Sequence, residues 1–347
     1  MCLRMATVSV AFAATLFQSP VHAGGFGALD GWDWLASSRE IQGATLVWND
    51  GLGDGQDRWK TGGLSQSVIL PESSLGSVHW IDDQASALEV TLRALLMTPD
   101  NTAAAVADGD DRAFAQYAGA GVFLRTFSQP ATAPGDFGIQ GLLIQTDDRV
   151  GIELGWQGDP LPLFEIQEAF HGMTGAGGGR GNPANSIGGE PLVNLEARRT
   201  WRLLAEGPGR DVEFAPFLQT SLGMRENSLR VGGDFFVGSA LEGRIWGSDP
   251  ATGAAFSQAS MPRPGTNWTL FAGGDLGYIA SDAFLDGGVT ADGPSVERRD
   301  LVGRARAGIL VEHGRVGLGF SLNWLGREFE SQPEGQLVGA LQVRVRF

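Results

Sequence analysis

The chain has 347 residues, of which 42% are apolar and 19% charged, and its formal net charge is −15. So acidic a chain offers no basic surface to neutralise phosphates, which excludes a general nucleic-acid-binding protein. The 52 glycines argue against a helical bundle, and the apolar content argues against disorder. This composition favours an all-β chain with tight turns.

The first segment has the features of a targeting signal. An apolar run over residues 6–17 precedes Val21-His22-Ala23, which matches the small-x-small pattern of a secretory cleavage site. We therefore predict a signal peptide over residues 1–23 and a single domain over residues 24–347. The predicted mature chain contains no cysteine and no apolar run long enough for a membrane-spanning helix.

Alternation of apolar and polar residues predicts β-strands along the rest of the chain. In the last segment, Leu341, Val343 and Val345 share one face, and Gln342, Arg344 and Arg346 share the other. The twelve predicted strands are Gln42–Trp48, Gly62–Leu70, Leu88–Met97, Phe114–Phe127, Gly138–Val150, Pro191–Leu204, Val212–Leu222, Leu229–Gly243, Asn267–Ala280, Asp300–Glu312, Arg315–Gly326 and Gln336–Phe347.

The same alternation fits two folds. In a soluble sandwich the polar row would face water, whereas in an outer-membrane barrel the apolar row faces lipid and the arginines face a polar lumen. Strands of about 10 to 15 residues, an even strand number and a final strand that ends on Phe347 favour the barrel. We predict an all-β antiparallel barrel of about 12 strands that crosses the bacterial outer membrane.

Strand parity predicts which connections are extracellular. With both termini in the periplasm, these are the connections near 49–61, 98–113, 151–190, 223–228, 281–299 and 327–335. The longest of them, 151–190, has the length of a functional loop. Within it we predict a short helix over Leu161–Met173, capped by Asp159 with Pro160 at its first position. Its apolar stripe (Leu163, Ile166, Phe170 and Met173) leaves two placements open, on the barrel rim or in lipid.

Three polar groups would meet at the extracellular rim. Asn49 and Asp50 end the first strand, Arg58, Lys60 and Thr61 lead into the second, and Gln167 and His171 lie four residues apart on the helix. A histidine beside a carboxylate, a hydroxyl and amides could activate a water and stabilise an oxyanion. Each group alone also has a structural interpretation as a loop start or a rim ion pair. The sequence has no Gly-x-Ser-x-Gly elbow and no His-Glu-x-x-His helix.

In these residues the chain resembles the LpxR-type outer-membrane lipid A 3′-O-deacylases. The resemblance extends from Trp48 to Phe347. Its motifs are Asn49-Asp50, Asp57-Arg58 with Thr61-x-Gly63, Gln167-x-x-x-His171, Phe271-Ala272-Gly273, Phe284-Leu285-Asp286-Gly287 and Arg327-Glu328-Phe329-Glu330.

The resemblance implies a twelve-stranded barrel in which a Ca²⁺-dependent esterase removes the 3′-linked acyloxyacyl group of lipid A at the outer rim. It implies that His171 is the base that activates water, and that Asn49, Asp50, Thr61 and Gln167 orient it or help to hold cation and substrate. Asp50 and Thr61 are the Ca²⁺ ligands that it implies, and Arg58 and Lys60 the substrate-binding residues. The expected partners are lipid A or lipopolysaccharide, outer-membrane lipid and, during biogenesis, the barrel assembly machinery.

Two positions depart from the family pattern. The acidic residue six positions after the histidine is replaced by Gly177, and the lysine after the third strand falls near Ala103–Ala104. Glu165, Glu168 and Glu190 are candidates for the missing carboxylate, and spacing does not select among them. Two functions therefore stay open: a lipid A ester hydrolase, and a non-catalytic barrel (a small pore, or a structural or adhesion protein) that keeps the scaffold.

Overall fold

The computed structural model describes residues 32, 35, 38 and 40–347, apart from residues 57, 72–84, 103–108, 129–130, 133–141, 175–184, 208–209, 240 and 292. At residues 131–132 and 170–174 the description covers the backbone and not the side chains. The predicted signal peptide over residues 1–23 lies outside the described residues, as do Asp57, Ala103–Ala104 and Gly177.

Strands dominate the described chain. They are β1 Gln42–Asn49, β2 Trp59–Pro71, β3 Ala85–Thr98, β4 Ala115–Phe127, β5 Ala131–Thr132, β6 Leu142–Gln157, β7 Glu190–Ala205, β8 Asp211–Gly223, β9 Glu226–Gly238, β10 Arg244–Ser248, β11 Ala255–Ser260, β12 Thr266–Asp282, β13 Leu301–His313, β14 Val316–Leu325 and β15 Gln336–Arg346. A 3₁₀ turn spans Asp50–Leu52 and a helix, α1, spans Leu163–Thr174. Within the described residues, no helix has the length and apolar character needed to cross a membrane.

Twelve of these strands form a closed antiparallel barrel, which confirms the predicted fold. Around the barrel the order is β1, β2, β3, β4, β6, β7, β8, β9, β12, β13, β14 and β15, and β15 pairs with β1 to close it. The short strand β5 pairs with β6, and β10 and β11 form a separate hairpin. Chain order places the connections that we predicted to be extracellular at one end of the barrel, which we call the outer end.

Side chains alternate between the outer wall and the lumen as the sequence predicted. In β15, Gln342 and Arg344 are buried, whereas Leu341 and Val343, which alternate with them, are partly exposed. Large apolar side chains are exposed along the outward rows of most other strands: Leu92, Val122, Val150, Ile152, Leu154, Trp156, Val193, Leu195, Trp201, Phe214, Leu218, Leu222, Leu229, Val231, Phe235, Leu270, Leu276, Tyr278, Leu301, Ile309, Val311, Val316, Leu318, Phe320, Leu322 and Trp324. Such an apolar wall suits the hydrocarbon core of a bilayer.

Strand β6 is longer than predicted. It continues past Val150 to Gln157, so the long outer connection covers residues 158–189 and not 151–190. Gly151 and Gly155 resemble loop signals in the sequence, yet a Cβ at these positions would meet the rings of Phe123 and Tyr117 at about 2.5 Å. At both glycines, an aromatic ring of β4 therefore occupies the space in the lumen that a side chain would need.

The connection between β9 and β12 folds into the lumen, and the strand that we predicted to extend to Gly243 ends at Gly238. The connection forms the hairpin β10–β11, and every residue of Ala255–Ser260 is buried. Side chains or carbonyls of the hairpin and its turn bond to five barrel strands, through Ser65–Asp249, Ser67–Gln258, Arg125–Trp246, Arg198–Ser248, Arg304–Pro250 and Gln342–Ser257.

The lumen arginines are paired with carboxylates. Arg306 bonds to Asp234 at 2.6 Å, and Arg202 bonds to Glu213 at 2.7 Å. Arg304 bonds to Asp275 at 3.0 Å. Because the carboxylates neutralise these side chains and the hairpin occupies the space between the strands, the described lumen does not favour a pore for anions.

We therefore expect no steady conductance when the purified protein is inserted into planar lipid bilayers. A variant in which a short Gly-Ser linker replaces residues 244–260 provides the matched control, because it removes the hairpin and keeps the barrel strands. Ion currents in the variant and none in the wild type would agree with a filled lumen. Steady currents through the wild-type protein would contradict it.

Candidate active site at the outer rim

Asn49 lies on the outward side of the barrel, at its outer end. Strand β1 is regular, and the Gln42 amide donates to the Ser260 carbonyl of the lumen hairpin, so even positions face the lumen and odd positions face outward. The Asn49 Nδ2 donates to the Thr61 carbonyl at 2.7 Å, and its Oδ1 accepts from the Gly51 amide at 2.8 Å. Asn49 thus ties the end of β1 to the start of β2.

Asp50 closes the loop between these two strands. It is 3% exposed, and its Oδ1 and Oδ2 accept from the backbone amides of Gly51 at 2.8 Å and Arg58 at 3.0 Å. Gly339 in β15 makes room for this turn, because a Cβ there would lie 2.4 Å from the Leu52 carbonyl oxygen. The carboxylate is held by charge-assisted hydrogen bonds beside Asn49.

Thr61 joins this turn to the third strand. Its hydroxyl is buried and lies 2.6 Å from the hydroxyl of Thr98, the last residue of β3. Strand β2 has a register shift between Lys60 and Gly62, and the preceding Trp59 has a φ of 53°. A β-bulge re-aims side chains. Here Thr61 meets Thr98 while Lys60 reaches Glu328.

The two cations predicted to bind substrate have partners within the protein. The Lys60 ammonium bonds to the Glu328 carboxylate, and the Arg58 guanidinium donates to Glu334 at 2.7 Å. Arg58 also lies over the Trp59 ring, 4.2 Å from its centroid. Both cations are 6% exposed, and in this structure carboxylates of the same chain neutralise their charges.

Glu328 is the centre of the Lys60 pair. Its second oxygen accepts from Arg112 at 3.2 Å. Burial alone would raise the pKa of the Glu328 carboxyl, but the charges of Lys60 and Arg112 outweigh burial and hold that pKa below its usual value. The carboxylate therefore stays charged and neutralises two buried cations.

We expect Glu328→Gln to lower the free energy of unfolding by about 3–5 kcal/mol, because it leaves two buried cations without a counter-charge. Thermal unfolding in detergent micelles measures the loss. Glu330→Gln is the matched control, since Glu330 is exposed and lies 3.7 Å from the partly exposed Arg299. Equal unfolding temperatures for the two variants would contradict a stabilising role for Glu328.

Helix α1 starts at Leu163, two residues later than predicted. Asp159 and Pro160 lie in the turn before it. Its first amide, that of Leu163, donates to the Gln116 side-chain oxygen of β4 at 3.0 Å, which satisfies one of the free donors of a helix start. The ring of Phe164 packs edge-on against Phe114 at 5.7 Å, and the helix contacts β3 and β4.

Gln167 and His171 belong to this helix. Positions 167 and 171 fall on roughly the same side as Phe164, because they follow it by three and seven residues. Gln167 is partly exposed, and the side chain of His171 lies outside the described residues. The structure thus joins Asn49, Asp50 and Thr61 in one hydrogen-bonded unit, and it sets the helix of Gln167 against the strand that ends in Thr98.

Glu190 is not free to replace the acidic residue of the family. Its carboxylate accepts from the amides of Val289, Thr290 and Ala291, from the Thr290 hydroxyl and from the Gln157 side chain. It therefore fastens the β12–β13 connection to β7. Glu165 and Glu168 are exposed on the helix.

The described residues do not assemble a Ca²⁺ site by themselves. Among them, no group of three or more His, Cys, Asp or Glu residues could hold a metal ion. Asp50 and Thr61 offer the oxygen ligands that Ca²⁺ prefers, but both Asp50 oxygens already accept backbone amides and the Thr61 hydroxyl is paired with Thr98. We assign no step of the chemistry to the ion.

Three residues that build this site were not predicted. Strand register pairs Thr98 with Trp59, and only the bulge at Thr61 brings the hydroxyls of Thr98 and Thr61 together. Gln116 and Glu328 act through partners 47 and 268 residues away along the chain, and local patterns do not signal such contacts.

The fold and its rim define an outer-membrane β-barrel that gathers polar residues outside its wall, at the outer end. The chain belongs to the LpxR family: the model of the family described as outer membrane protein LpxR matches residues 7–347.

A solved structure shows the same fold. LpxR from Salmonella typhimurium is 19% identical, with a TM-score of 0.67 over 88% of this chain and 100% of that chain. The translocator domain of the autotransporter NalP from Neisseria meningitidis is 11% identical, with a TM-score of 0.40 over 91% of each chain. A comparison with curated protein sequences gave no match.

Proposed function

We propose that this protein is a lipid A 3′-O-deacylase, an ester hydrolase that acts in the outer leaflet. Family membership supports this activity. The observation that carries the proposal is the position of Asn49, which lies at the outer end and on the outward side of the wall, next to Asp50 and bonded to the Thr61 carbonyl.

This position suits an amphipathic substrate. Lipid A lies in the outer leaflet, so a site outside the lumen can receive it without removing its acyl chains from lipid. Below the unit, Val47 and Leu96 continue the outward rows of β1 and β3, and both are partly exposed. They offer acyl chains an apolar wall directly beneath the polar groups.

In the proposed reaction, His171 takes a proton from a water molecule, and the water oxygen attacks the ester carbonyl carbon. The bond between that carbon and the sugar oxygen then breaks. The sugar oxygen takes the proton from His171, and the acyl group leaves as a fatty acid. The charge of Asp50 would stabilise the protonated imidazole, and the polar groups of Asn49, Thr61 and Gln167 would orient water and ester.

Ca²⁺ enters the proposal as the cofactor that the family resemblance implies. Because the described residues do not form a Ca²⁺ site by themselves, no step of the proposed reaction is assigned to the ion. Every role above belongs to residues of this chain.

The test is mass spectrometry of lipid A from a lipopolysaccharide-bearing host that expresses the protein. We expect the mass of the 3′-acyloxyacyl group to be lost. Unchanged lipid A in cells that contain heat-modifiable, membrane-inserted protein would contradict the proposed activity. In vitro assays with EGTA test the ion separately, because hydrolysis that persists in EGTA would contradict only the Ca²⁺ requirement.

A further inference from the structure

We infer that helix α1 is an interfacial helix whose apolar side inserts into the outer leaflet beside the barrel. This membrane-binding surface does not depend on the proposed reaction.

The helix begins at the level of the membrane–water interface. Trp156 is 37% exposed and is the last member of the outward row that includes Ile152 and Leu154. Tryptophan at the end of such a row marks the interface. The Trp156 indole donates to the Asp159 carbonyl at 2.7 Å, and the Gly158 amide donates to the Gln116 carbonyl at 2.9 Å. These bonds hold the approach to the helix close to the end of the lipid-facing strand.

The side of the helix that faces the barrel is fixed by its contacts. Phe164 packs on Phe114, and the amide of the preceding residue is bound to Gln116. At 100° per residue, position 166 is turned about 200° from Phe164, so it falls on the opposite side of the helix. Positions 163, 170 and 173 of the predicted apolar stripe share the side of position 166.

Ile166 shows that the opposite side is not covered by protein. It is 59% exposed. Among the described residues, the other exposed large apolar side chains all belong to barrel strands, except Val289. Glu165 and Glu168 are exposed on other sides of the same helix. An exposed apolar side, with acidic groups elsewhere, is the pattern of a helix that lies in a membrane interface.

The occupant of this side is outer-leaflet lipid. The apolar side begins where the lipid-facing row of β6 ends, so it continues a surface that already contacts acyl chains. The two placements left open by the sequence are thereby separated: Phe164 docks on the rim, and the stripe that contains Ile166 faces lipid. The space between helix and wall then opens towards the leaflet.

The test uses a fluorophore at single cysteines. The one cysteine of the sequence is removed by Cys2→Ser. Full-length protein with Ile166→Cys or, as the matched control, Glu165→Cys is labelled with an environment-sensitive dye and placed in phospholipid vesicles that contain a nitroxide lipid. Heat-modifiable migration in gels shows that each variant has formed its barrel.

We expect a blue-shifted emission and strong quenching by the nitroxide lipid at position 166, and quenching by aqueous iodide at position 165. Iodide quenching at position 166 without any effect of the nitroxide would overturn insertion. Protection of position 166 from both quenchers would mean that protein covers it, which also overturns the proposal. Equal nitroxide quenching at both positions would overturn the assigned orientation.

Discussion

Replacing His171 with alanine is expected to reduce lipid A deacylation by at least about 100-fold, because a general base contributes about 10² to 10⁴ to such reactions. A water molecule has no other strong base within the proposed set: Asp50 accepts two backbone amides, and Asn49, Thr61 and Gln167 are neutral. The measurement is the rate of release of the 3′-acyl group by purified protein, followed by mass spectrometry.

His313→Ala is the control for this variant. His313 is exposed at the inner end of the barrel, opposite the outer rim, where its ring lies 2.9 Å from the Thr266 hydroxyl. We expect its removal to leave the rate unchanged. A His171→Ala protein that is heat-modifiable and hydrolyses lipid A at the wild-type rate would contradict the proposed mechanism.

The barrel could be predicted because lipid and lumen each demand one type of residue on alternate positions. In β15, Leu341 and Val343 face outward and Arg344 faces the lumen, as the sequence indicated. The prediction stopped early in β6, where Gly151 and Gly155 break the pattern. Both positions are glycine because the rings of Phe123 and Tyr117 on β4 occupy the space of a side chain there. The sequence of β6 alone does not reveal these rings.

The hairpin inside the barrel could not be predicted from its own residues. Gln258 and Ser257 resemble the polar residues of a solvated turn. They are buried because Ser67, Glu89 and Gln342 on three separate strands supply their hydrogen bonds. Only the closed barrel brings these partners together.

The candidate site was predictable in its composition and less so in its geometry. Asn49, Asp50 and Thr61 are neighbours, as expected from two strands joined by a short loop. The direction of Lys60 was not predictable, because it depends on the bulge that follows Trp59 and on Glu328, a residue far along the chain. The backbone conformation that turns Lys60 away from Thr61 cannot be inferred from a local sequence pattern.

Asp50 is the residue where a second large loss of activity is expected, and two substitutions separate its charge from its hydrogen bonds. Asp50→Ala leaves the buried amide of Arg58 without its acceptor, which costs about 1–3 kcal/mol and loosens the loop that holds Asn49. Asp50→Asn keeps an oxygen for one amide but removes the charge.

We expect deacylation to fall to background in Asp50→Ala and to remain at least about 10-fold below wild type in Asp50→Asn. The reason is that Asp50 is proposed to stabilise a protonated imidazole. The loss of one charge interaction of about 1.4 kcal/mol already lowers a rate tenfold. Thermal unfolding of both variants measures the structural part of each loss. If Asp50→Asn is as active as the wild type, the carboxylate charge is not needed, and Asp50 serves as the tie that closes the loop. In that case the base at position 171 would have to work without an acidic partner at Asp50.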